Sequence, residues 1–86
     1  MPVRDDTMWI MNQLRNAIIN TDETKQIYCN NVYEILADFG DGKPDAYLGI
    51  YPSEKEAIQA INHLFVELEN RCTVCYMPRA SGVRNV

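Results

Sequence analysis

No stretch of this chain approaches the roughly 20 consecutive apolar residues that a membrane-spanning helix requires. Its first six residues also lack the apolar run of a secretory signal, so a cytoplasmic protein with no membrane partner is expected. Cysteine is sparse: three residues, an odd number, fit free thiols in a reducing compartment better than a disulfide framework. Basic residues are outnumbered, eight against twelve acids, and the formal charge of -4 opposes the counterion release that drives binding to a phosphate backbone. Direct binding of DNA or RNA is therefore not expected. Histidine occurs once, and the four glycines form no phosphate-cradling loop. No internal repeat, linker or low-complexity block is present, and 86 residues suffice for one hydrophobic core but not two, which excludes a multidomain enzyme.

What is present supports that core, since 47% of the residues are apolar and 23% charged. Residues 1–7 read as a polar lead-in, residues 8–78 as one domain and residues 79–86 as a tail. Short β-prone runs at residues 8–11 and 17–20 suggest a hairpin, and residues 26–29 resume extended structure before Asn30 and Asn31, a pair suited to a tight left-handed turn. In the strand expected over residues 32–39, Tyr33, Ile35, Ala37 and Phe39 share the parity assigned to the core. Gly40, Asp41, Gly42 and Pro44 signal a turn into a strand at residues 46–51. Ser53 then opens a helix, with Glu56 placed to complete a capping box. Ala57, Ile58, Ile61, Leu64, Phe65 and Leu68 form its apolar stripe, and residues 73–77 supply a last short strand. The expected fold class is α+β: an antiparallel sheet of about five strands with one amphipathic helix, residues 53–69, packed on it. A core this small is thinly stabilised, so a homo-oligomer is also expected.

Among residues that could carry chemistry, Cys72 and Cys75 have the spacing of a metal clip or redox pair. Only Cys29 and His63 are available as further ligands, and the pair follows a helix C-terminus rather than preceding an N-terminus, so both read as small apolar residues and no metal or cofactor is expected. His63 lies on the polar side of the helix with no nucleophile at a diagnostic spacing. Asp38, Asp41 and Asp45 depart from the calcium-loop pattern and read as turn residues. No acid, base and nucleophile set can be assembled, which points away from an enzyme. The remaining resource is an aromatic set on predicted strands, together with arginines in an acid-free C-terminal stretch. Tyr47, Tyr76, Arg71 and Arg79 are accordingly the candidate ligand-binding residues, the rings for stacking and the guanidinium groups for an anion. The plainer reading is that these arginines are solvated or pair with acids on the body of the domain.

Met8, Trp9, Ile10, Met11, Asn12 and Gln13, then Ile18, Ile19 and Asn20, then Tyr47, Leu48, Gly49, Ile50 and Tyr51 with residues 53–57, and finally Tyr76, Met77 and Pro78 resemble a group of small phage and prophage proteins of Gram-positive bacteria. Some members of that group are similar to Thoeris anti-defence proteins, sponges that sequester signals of the cyclic ADP-ribose type between the protomers of an oligomer. The resemblance covers most of residues 8–78 and implies binding without chemistry. It departs from the sponges after Pro78, where the segment that supplies their ligand contacts is largely missing. The resulting expectation is a non-enzymatic phage-type binding protein that counters bacterial immunity by holding a cyclic nucleotide signal. The alternatives are a protein-binding inhibitor of a host defence complex such as a CRISPR nuclease, and a structural or accessory phage domain.

Overall fold

A computed structural model describes residues 7–80, so most of the expected lead-in and tail lies outside the described residues. The chain runs through β1 (Trp9–Met11), β2 (Ile18–Asn20), a 3-10 turn (Thr21–Glu23), β3 (Gln26–Cys29), β4 (Glu34–Asp38), β5 (Ala46–Ile50), α1 (Glu54–Glu69) and β6 (Val74–Tyr76). The α+β class holds, but the strands form two three-stranded sheets, ordered β2-β1-β6 and β3-β4-β5, in place of the single five-stranded sheet expected. The sheets are also not wholly antiparallel, because β1 pairs with β6 in parallel, Ile10 beside Cys75. β3, β4 and β5 form an antiparallel meander, as their turns dictate.

The division between the sheets is bridged by Gln13. Its main-chain N–H donates to the Leu48 carbonyl at 2.6 Å, and its side-chain amide donates to the Ile50 carbonyl and accepts the Ile50 N–H, both at 3.0 Å. One carboxamide thus replaces the peptide of a neighbouring strand along the free edge of β5. The β4–β5 register shifts between Ile35 and Leu36, leaving Leu48 as the extra residue on β5, with its side chain fully buried.

α1 begins where Ser53, extended at φ -152°, accepts the Glu56 N–H on its hydroxyl at 3.2 Å, the forward half of the expected capping box. It ends in a Schellman arrangement: Arg71 N–H donates to the Leu68 carbonyl and Cys72 N–H to the Glu67 carbonyl. Arg71 takes the left-handed conformation, φ 57°, that glycine usually occupies at this position.

The core comprises Ile10 and Cys75 from one sheet, Ile35, Ala37 and Leu48 from the other, Ala57, Ala60 and Leu64 from α1, and Tyr51 and Met77 at the edges. The helix is therefore turned relative to the expected stripe. Ala60, absent from that stripe, is buried, whereas Ile58 and Phe65 face outward, with Ile61 and Leu68 at the margin. Two alanines one turn apart have no bulk to hold the backbone off the sheets, so the closest approach follows their line rather than that of the larger residues. In β4, Ile35 and Ala37 point inward as the parity requires and Phe39 packs partly on the core, but Tyr33 does not. Tyr33 lies outside the strand at φ 66°, in the left-handed conformation assigned above to Asn30 and Asn31. The cause is the Asn30 carboxamide, which accepts the N–H groups of Val32 and Glu34 at 3.0 Å each and moves the reversal two residues on.

Candidate functional site

Residues paired across β2, β1 and β6 project to the same side of the sheet. Ile19, Ile10 and Cys75 form the inner row, and the two flanking rows lie on the outer face: Asn20, Trp9 and Val74, then Ile18, Met11 and Tyr76. That outer face is apolar apart from Asn20, and its Tyr76 is 47% exposed.

Beside this face, the turn between β1 and β2 delivers a cation. Asn12 closes the turn, its carboxamide accepting the Asn16 N–H at 3.0 Å and donating to the Asn16 side chain at 2.8 Å. Arg15 adopts φ 63° there, and its guanidinium carbon lies 5.1 Å from the centroid of the Tyr76 ring. Arg15 Nη1 donates to the carbonyls of Asn12 at 3.2 Å and Met77 at 3.1 Å, while Nε and Nη2 make no hydrogen bond among the described residues. The Tyr76 N–H donates to the Glu67 carboxylate at 3.0 Å, which ties the strand back to α1. A cation held over the ring of a half-exposed tyrosine, with donors to spare, can offer a stacking surface and an anion contact to one ligand.

Of the residues proposed from sequence, Tyr76 occupies this position. Tyr47 lies on the other side of Gln13, to whose side-chain oxygen its hydroxyl donates at 3.3 Å. Burial, and then the Glu34 charge, raises the Tyr47 phenol above its ordinary value. Arg71 precedes β6 and Arg79 follows it, both exposed. The extended strand between them, rising about 3.3 Å per residue, keeps the two arginines apart. The structure thus draws Tyr76 and Tyr47 toward the 12–16 turn and does not join Arg71 with Arg79. Arg15, in the turn between β1 and β2, is the guanidinium that reaches a candidate ring, and no sequence motif singles it out.

The carbonyls of the segment after β6 are held by this same region: Pro78 accepts from the Tyr51 hydroxyl at 2.6 Å and from Gln13 Nε2 at 3.4 Å. Burial pushes Tyr51 up to about 12. Cys75 is fully enclosed and, chiefly through burial, its thiol is pushed up to about 11, the state of an inert packing residue. His63 is exposed and 3.5 Å from the Glu67 carboxylate one turn along α1. Among the described residues, no group of three or more His, Cys, Asp or Glu side chains is placed to hold a metal ion. Asp38 accepts the Gly40 N–H at 2.8 Å and so serves the turn after β4, while Asp45 accepts the hydroxyl of Tyr28 on β3. No helix among the described residues is long and apolar enough to cross a membrane. Comparison with protein-family models, curated proteins and solved structures finds no match for this chain.

Proposed function

We propose that this chain is a non-enzymatic binding protein of the phage anti-defence type, and that it holds a cyclic nucleotide signal against the outer face of the β2-β1-β6 sheet. The observation that carries this reading is the Arg15 guanidinium lying over the exposed Tyr76 ring on a sheet face that is otherwise apolar. In this reading the base stacks on the Arg15–Tyr76 pair and its apolar neighbours, the free donors of Arg15 meet a phosphate, and Arg79, just beyond β6, adds charge at the rim. Arg71, at the opposite end of the strand, contributes least, and Tyr47 acts through Gln13.

Titration with cyclic ADP-ribose isomers and cyclic dinucleotides, read by calorimetry and by melting temperature, tests the proposal. The expected result is a melting temperature that climbs with ligand concentration, as linkage requires. Tyr76→Ala should weaken binding about tenfold or more, the usual worth of one stacked base. Arg15→Ala should weaken it similarly, with far-UV circular dichroism confirming an intact fold. Absence of any shift at millimolar ligand, or affinity indifferent to Tyr76→Ala, would reject this site and favour the second reading, a protein that occludes a host defence component. That alternative draws on Leu14 and Ile18, exposed apolar residues on and beside the 12–16 turn.

A further inference from the structure

α1 carries a second surface that no described residue covers. Ile58, Phe65 and Val66 on its outward arc are 49%, 59% and 51% exposed. Ile58 and Phe65 lie two turns apart on one line, and Lys55, Asn62 and Glu69, at the same spacing, form the line next to it. We propose that a second copy of this chain covers this arc, α1 packing antiparallel on its counterpart about a two-fold axis at Asn62.

The charges select this arrangement. A self-complementary interface requires a two-fold axis, and an axis crossing the helix at Asn62 sets each residue against the one equally far on the other side of Asn62 in the copy. Lys55 then meets Glu69 of the copy, and Glu69 meets its Lys55, so two opposite-charge pairs close the ends. Between them each Ile58 meets Val66 of the copy with its Phe65 alongside, Phe65 meets Gln59, and Asn62 faces itself. A parallel pairing would set Lys55 against Lys55 and Glu69 against Glu69, a repulsive match at both ends. Because α1 is only about 24 Å long, the buried area falls below the roughly 800 Å² per partner of a standard interface, and a micromolar dissociation constant is expected. The inference does not rest on the ligand reading, since this surface and the Tyr76 face are on different elements.

Sedimentation of the full chain across about 1 to 200 µM, with no nucleotide added, tests it. The mass should rise from one copy to two, and Phe65→Ser should hold it at one. Lys55→Glu should weaken association about tenfold by opposing like charges at both ends, and the Lys55→Glu, Glu69→Lys exchange should restore it. Glu69→Lys alone should weaken association while raising the melting temperature of the monomer, since lysine suits a helix C-terminus. These residues are exposed, so unchanged circular dichroism verifies each fold. A single-copy mass at every concentration overturns the proposal, as does a dimer that survives Phe65→Ser or fails to recover with the charge exchange.

Discussion

Gln13 and Gly49 show how a single contact sets the tolerance of two positions. A Cβ added at Gly49 would lie 3.1 Å from the Gln13 Cβ and 3.3 Å from its Cδ, and the Gln13 side chain cannot move aside without losing its bonds to Ile50 and Pro78. Gly49→Ala should therefore destabilise the fold by about 1–3 kcal/mol in urea titration. Gln13→Ala should cost about 2–4 kcal/mol, because the Ile50 N–H and carbonyl at the β5 edge lose their partner. Tyr51 predicts the alkaline behaviour. Its phenol is raised from 10.0 to about 12, so above pH 10 the unfolded chain releases the proton while the folded chain retains it. Stability is then complete below pH 10 and falls between pH 10 and pH 12, on the order of 1–3 kcal/mol in all. Tyr51→Phe should flatten that decline and, by losing the bond to Pro78, cost about 1 kcal/mol at neutral pH. Neither Gln13 nor Arg15 stood out in the sequence, because the groups they serve at Ile50, Met77 and Pro78 are remote along the chain.

The ends of α1 were legible to different degrees. Ser53 and Glu56 announce the start, and Ser53→Ala should cost about 1 kcal/mol in thermal or chemical unfolding. The stop falls where it is expected, after Glu69 with Asn70 as C-cap, but no glycine follows and Arg71 fills the left-handed position. Arg71→Gly should raise stability by about 0.5–1 kcal/mol in the same measurement. It also removes a candidate ligand contact, so unchanged nucleotide affinity in that variant would exclude Arg71 from the site. The strands β3, β4 and β5 followed from turn residues and alternation, which act between near neighbours, except that β4 begins at Glu34 rather than residue 32. The orientation of α1 did not, because six apolar residues span a broad arc and the line that meets the sheets depends on how closely Ala57 and Ala60 allow approach.

At the scale of the whole molecule, two small sheets share one core beneath one helix and are joined through Gln13, so the domain should unfold as a unit. Trp9, the sole tryptophan, reports on the β2-β1-β6 sheet, and its fluorescence transition in urea should coincide with loss of helical circular dichroism. Two separated transitions would show that the sheets are independent, and Gln13→Ala is the variant most apt to separate them. By itself the sequence determined the α+β class, the helix and its start, and the 40–45 turn, because each rests on dihedral preferences and periodicities that neighbouring residues impose. Only the tertiary structure decided that β6 pairs in parallel with β1, that the strands divide into two sheets, that Phe65 faces outward and that Arg15 meets Tyr76. Those outcomes are set by packing between residues far apart in the chain, where local preference is silent and the best burial of a shared core decides.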